Sequence, residues 1–279
     1  MTDPQEDDQS KPYHNLDDLE TATLRIPKLK VKCKKAGSTL SPTVQSIIVE
    51  PSSNSIRPDL VTAYLTHLVE RLNGDKVVHI ELHKLQLGDW TVLANFFHQQ
   101  PKPVALTIRR CPLTAAGDET LREFLATTTS LRCFRFFYDT PFDLKFSMEH
   151  VWRHGLETNS SLEVLQLWCP AFTQVYHHLF HNHQNLIKAG LRLHHYGAAP
   201  RDHSAALWET IPHGAYQIES LDLYTTQPVP AKRLLEWLKV TNKLRQDDVS
   251  ISGRSFGGED GDTIRGKDNV LEKLQEMAK

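Results

Sequence analysis

The chain has 279 residues, with 34 acidic and 32 basic side chains and a formal net charge of −2. That balance gives no global attraction to nucleic acid or to an anionic membrane, and no run of 18 apolar residues is present that would cross a bilayer. The four cysteines, Cys33, Cys111, Cys133 and Cys169, are scattered and form no CxxC pair. This excludes a zinc ribbon or a disulfide scaffold and reads as a reducing compartment, cytosol or nucleus.

The first twenty residues carry seven acidic side chains and little apolar content. They lack the basic and apolar regions of a signal peptide and are expected to be disordered. In "KLKVKCKK" (residues 28–35), Leu29, Val31 and Cys33 alternate with lysines. One reading is a basic patch for nucleic acid or nuclear import. The preferred one is an N-terminal capping strand with a charged edge. Residues 1–40 are therefore assigned as a polar tail with a basic capping strand.

From residue 41 a pattern repeats: apolar, two residues, apolar, one residue, apolar. It is carried by Val44, Ile47 and Val49; Val77, Ile80 and Leu82; Pro103, Leu106 and Ile108; Leu131, Phe134 and Phe136; Leu162, Leu165 and Leu167; and Ile218, Leu221 and Leu223. "LIKAGLRL" admits two registers, ending at Leu191 or at Leu193, and the second is preferred. Helical spacings follow the strands: Trp90, Leu93 and Phe97 after an Asp89 N-cap; Leu121, Phe124 and Leu125; Met148, Val151 and Trp152; Phe172, Val175, Tyr176 and Leu179; and Leu234, Trp237 and Leu238. A strand and a helix of fixed phase, neither able to bury its face alone, predict a stacked repeat. Residues 253–267 are rich in Gly and Asp and read as a linker. Val270, Leu271, Leu274 and Met277 mark a short terminal helix. Deleting residues 258–279 is expected to leave the rest folded.

The most regular unit is Leu106-x-Ile108-x2-Cys111-x-Leu113-Thr114-x2-Gly117-x3-Leu121-x3-Leu125. It resembles the leucine-rich repeat of the ribonuclease-inhibitor type, with Cys111 at the position that usually holds Asn or Cys. "LETNSSLEVLQL" is similar to a junction between two such repeats. The resemblance implies an α/β fold, a curved leucine-rich-repeat solenoid with a parallel concave sheet and convex helices over residues 41–252. It also implies an intracellular protein-interaction role, such as substrate recognition for a ubiquitin ligase or a regulatory scaffold. No F-box is recognisable before residue 44.

Several stretches invite a chemical reading. His79, Glu81 and His83 in "VHIELHKL" alternate on a strand and face the same way. Three such ligands could hold zinc, and a metal-dependent or hydrolytic enzyme is the alternative to a binding module. Alternate strand residues lie about 6.6 Å apart, however, which is long for sharing one ion. The next rung would place Arg109 beside the cation. His177 and His181 stand at i, i+4 but lack the intervening Glu of HExxH and fall opposite the apolar helix stripe. "GRSFG" (253–257) matches G-x-S-x-G, yet neither a helix nor a histidine follows it. No catalytic residue, metal or cofactor is assigned.

The expected activity is protein binding. The residue after the third apolar position of each rung sits at the lip of the sheet: Glu50, His83, Arg109, Phe137, Trp168, His194 and Tyr224. Aromatic residues and Arg are enriched at interfaces. With the outward positions His79, Glu81, Arg135, Gln166 and Asp222, these residues form the expected partner surface. The partner is another protein, with no membrane or nucleic acid involved, and the chain itself is expected to be a monomer.

Overall fold

Apolar residues at every second strand position need cover on one face only, and the structure meets that need with a single sheet. The computed structural model describes residues 20–26, 29–36, 43–52, 58–72, 77–99, 104–112, 114–137, 155–156, 158–168, 188–193, 219–225, 231–240, 243–252 and 263–279. Among the described residues eleven strands lie side by side in chain order: β1 (Glu20–Ile26), β2 (Leu29–Ala36), β3 (Thr43–Pro51), β4 (His79–His83), β5 (Val104–Arg109), β6 (Leu131–Phe137), β7 (Val164–Trp168), β8 (Lys188–Leu193), β9 (Ser220–Thr225), β10 (Val249–Ser252) and β11 (Thr263–Arg265).

The sheet is mixed, which corrects the expectation of a leucine-rich-repeat solenoid with a parallel sheet. β1 and β2, β2 and β3, and β10 and β11 pair antiparallel; the strands between pair parallel. The cause lies in the connections. Residues 27–28 and 37–42 join the first three strands, too short a path for the crossover that a parallel neighbour needs. The "KLKVKCKK" strand is therefore not the terminal one. β1 lies outside it, while Val31 and Cys33 are fully buried.

One column of the sheet runs Ile47, Ile80, Leu106, Phe134, Leu165, Ala189, Leu221, Val249. A second runs Val49, Leu82, Ile108, Phe136, Leu167, Leu191, Leu223, Ile251. The β8 register therefore ends at Leu191 and not at Leu193. Arg192, between Trp168 and Tyr224, takes the place expected for His194, which lies outside the described residues.

Helices α1 (Pro58–Arg71), α2 (Thr91–Gln99), α3 (Ala115–Thr127), α4 (Ala231–Val240) and α5 (Lys267–Met277) cover this apolar face. Two of the starts are explained by side-chain oxygens that accept otherwise orphaned amide hydrogens. Thr91 N donates to Asp89 Oδ1 at 2.8 Å, and Gly117 N to Thr114 Oγ1 at 3.0 Å. Gly117 has a further constraint: a Cβ there would fall 2.2 Å from the Leu87 carbonyl oxygen. The core between α2, α3 and the sheet is aromatic. Phe124 lies 6.3 Å from Trp90, stacked, and 5.2 Å from Phe97, tilted. The helices expected around residues 148–152 and 172–179, and the His177/His181 pair, lie outside the described residues.

The C-terminal segment is not an appendage. β11 pairs with β10, and Val270 and Leu274 of α5 are buried in the common core. The "GRSFG" stretch lies outside the described residues.

Candidate functional site

On the opposite face Ala105, Cys133 and Val164 form a small buried cluster of their own, and toward the carboxyl ends of β3 to β6 the side chains of that face form a charged network. Its centre is Glu81 on β4. Its Oε1 accepts from His83 Nε2 at 2.7 Å and from Arg109 Nε, one strand over, at 2.5 Å. The other imidazole nitrogen, His83 Nδ1, lies 2.9 Å from Glu50 Oε1 at the end of β3. Each His83 ring nitrogen thus faces a carboxylate oxygen. Glu50, His83, Glu81 and Arg109 form a row in which carboxylates alternate with a histidine and an arginine. Burial alone would raise the Glu81 carboxyl. The hydrogen bonds and charges of His83 and Arg109 overcome that and hold it down at about 2.

Arg109 has a second contact. Its guanidinium carbon stands 4.1 Å from the centroid of the Phe137 ring on β6, a cation–π arrangement. Phe137 is itself only 6% exposed. The carboxyl ends of β3 to β6 enclose a cavity of about 330 Å³ lined by Glu50, His83, Lys84, Arg109, Arg110 and Phe137. Lys84 and Arg110 each follow a strand directly and have φ of 51° and 52°. This left-handed turn aims their amides at the next strand. Lys84 N donates to Arg109 O at 2.9 Å, and Arg110 N to Phe137 O at 2.8 Å. Beneath the turns, the buried Cys111 thiol donates to Leu82 O at 3.3 Å and accepts from Leu85 N at 3.4 Å. Burial pushes that thiol up to about 12, where it is not a nucleophile.

The residues expected to meet a partner do not all come together. Glu81, His83, Arg109 and Phe137 come together as described. His79 does not join them. It is 8% exposed, with Nδ1 2.9 Å from Ser46 Oγ and Nε2 3.1 Å from Thr107 Oγ1. Its role is a cross-strand bond over three strands, and the His79/Glu81/His83 set is not a ligand trio. Among the described residues no group of three His, Cys, Asp or Glu side chains converges as metal ligands. Arg135 and Gln166 follow Thr107 along the same column, half-buried, with Arg135 Nε buried and without a hydrogen bond. Farther along, Asp222 accepts from Ser250 Oγ at 2.5 Å. Trp168 and Tyr224 hold the register positions expected of them, on the rungs beyond Phe137.

Sequence reasoning missed Lys84, Arg110 and Arg192. The signal for the first two was present: a basic residue one place after the lip in "HKL" and again in "RRC".

Comparison of the chain with protein-family models, with curated proteins and with solved structures finds no match.

Proposed function

We propose that the chain is a protein-interaction module that receives its partner on the face of the sheet opposite the described helices, at the carboxyl ends of β3 to β6. The observation that carries this reading is the Glu50–His83–Glu81–Arg109 row, ending on Phe137. Four ionisable side chains from three strands are fixed by mutual hydrogen bonds on a face that contributes nothing to the helix-covered core. A fixed charge pattern of this kind gives orientation and partner discrimination more than bulk affinity. Arg is among the residue types enriched at the energetic centres of interfaces.

The network also argues against using His83 as a general base. A base needs a nitrogen open to the proton that it takes, and both His83 nitrogens face carboxylate oxygens. Cys111 is buried beneath the lip and held protonated.

The test is affinity capture with quantitative mass spectrometry, comparing the native chain with Arg109→Ala and Trp168→Ala. Loss of a central anchor costs on the order of 2 kcal/mol, roughly thirtyfold in affinity. The expected outcome is that both variants lose the same captured protein. Both variants should still unfold in a single cooperative transition, so that loss of capture is not loss of the fold. Capture that survives both changes would refute the reading.

A further inference from the structure

Arg135 stands in the middle of β6, between Thr107 of β5 and Gln166 of β7. It is half-buried, and its Nε is sealed from water without a hydrogen bond. Among the described residues it takes part in no hydrogen bond or ion pair. A guanidinium carries five donors and a permanent charge, and a sealed donor without an acceptor costs the fold stability. The neighbours offer no anion: no Asp or Glu holds a position of this face on β5 to β8.

The flanking carboxylates of the same column are Glu81 on β4 and Asp222 on β9. They lie two and three strands from Arg135, roughly 10 and 14 Å away by the spacing of paired strands. Both are engaged. Glu81 holds His83 and Arg109, and Asp222 accepts from Ser250 Oγ at 2.5 Å. Thr107, on the other side of Arg135, is taken up by His79 at 3.1 Å. Nothing in the described fold uses the Arg135 charge, and a neutral side chain of similar length would fill the same place. Its position nonetheless adjoins the candidate site: Arg109 and Phe137 hold the next positions toward the lip on β5 and β6.

We infer that Arg135 is the docking point for one carboxylate side chain, an Asp or Glu, of the protein partner. The inference rests on the protein-binding reading above and gives that partner its chemistry. Nε is the sealed atom; the two Nη groups are neither sealed nor bonded, and they carry donors that a carboxylate takes in pairs. The charge selects the class of anion. One guanidinium matches the single charge of a carboxylate, whereas a phosphorylated side chain brings about two negative charges and calls for a second cation. The adjacent Arg109 is already met by Glu81.

The probe is a library of phage-displayed random dodecapeptides, selected on the full chain and counter-screened on Arg135→Met. Methionine keeps an unbranched stem of similar reach and removes the charge and the sealed donor. The melting temperature of Arg135→Met should therefore equal or exceed the native one. Peptides that prefer the native chain should share one Asp or Glu at a fixed position. Changing that acid to its amide should weaken binding to the native chain roughly tenfold or more. The same change should have little effect on binding to Arg135→Met, which is the signature of direct coupling. The inference falls if no peptide prefers the native chain, if the preferred peptides share no acid, or if the amide change weakens both chains equally. It falls also if Arg135→Met melts well below the native chain, since the fold then uses the charge. Failure of the binding face itself is separable by the capture experiment. A captured protein lost with Arg109→Ala but retained by Arg135→Met leaves the face standing and removes the carboxylate. Capture indifferent to Arg109→Ala, Trp168→Ala and Arg135→Met removes both.

Discussion

Glu81 on β4 and Arg109 on β5 share a hydrogen bond at 2.5 Å across neighbouring parallel strands, and the same Glu81 oxygen also accepts from His83. The pair ties the charged row to the cavity wall, because Arg109 in turn covers Phe137. A carboxylate held at about 2 in the folded chain and near 4.5 when unfolded stabilises the fold above pH 4.5. This contribution is lost as pH falls from 4.5 through about 2, on the order of 3 kcal/mol by linkage. Glu81→Gln should therefore be less stable than the native chain at neutral pH. The difference should shrink steadily in urea melts taken from pH 5 down to about pH 2. An equal difference at every pH would deny the pair its role.

The "NSSL" turn before β7 makes a second prediction. Asn159 is buried, and its Nδ2 donates to Leu125 O at 2.8 Å and Thr128 O at 3.1 Å. Its Oδ1 accepts from the amides of Ser161 and Leu162 at 2.9 and 3.0 Å. Both faces of one amide thus join consecutive turns, and the sequon that it heads has no accessible nitrogen. Asn159→Asp keeps the acceptor but aims a carboxylate at two carbonyls. It should cost on the order of 3 kcal/mol or more, read from denaturant midpoints, since unpaired buried polar groups cost about 1–3 kcal/mol each.

The C-terminal helix supplies a third. Leu274 is fully buried against the sheet and α4, so Leu274→Ala should cost about 2–4 kcal/mol. Removing residues 263–279 strips β11 from β10 as well, and should lower the melting temperature sharply in calorimetry. A truncated chain that melts like the full one would return this segment to the status of a tail.

Thiol chemistry gives a fourth. Cys33, Cys111 and Cys133 are free and buried, and Cys111 is pushed up to about 12. Iodoacetamide at mildly alkaline pH should leave all three unmodified in the folded protein and label them in urea, as resolved by peptide mass spectrometry. Rapid labelling of Cys111 without denaturant would show that the lip opens.

The rungs were legible because the helix-covered face must be apolar in every strand, and a period of two exposes it. Strand direction was not legible: Leu29, Val31 and Cys33 alternate identically whichever way the strand runs. Only the short connections around β2 indicate antiparallel pairing. The β8 register failed for a related reason. Leu191 and Leu193 both fit a period of two, and pairing with Leu167 and Leu223 selects the first. Helix α1 was overlooked although Pro58 and Asp59 open it and Val61, Leu65 and Leu68 keep its spacing. At the site, the common face of Glu81 and His83 followed from strand alternation. The burial of His79 did not, because Ser46 and Thr107, the side chains that hold it, come from strands far away in sequence.

The central claim is that the charged sheet face at the carboxyl ends of β3 to β6 is where a protein partner sits. Photo-crosslinking in cells tests it most directly, with a photoreactive amino acid replacing Arg110 at the cavity in one variant and the exposed His67 on α1 in another. The account predicts a discrete crosslinked protein from position 110 and none from position 67. A crosslink from the helix side, with none from the cavity, would contradict it.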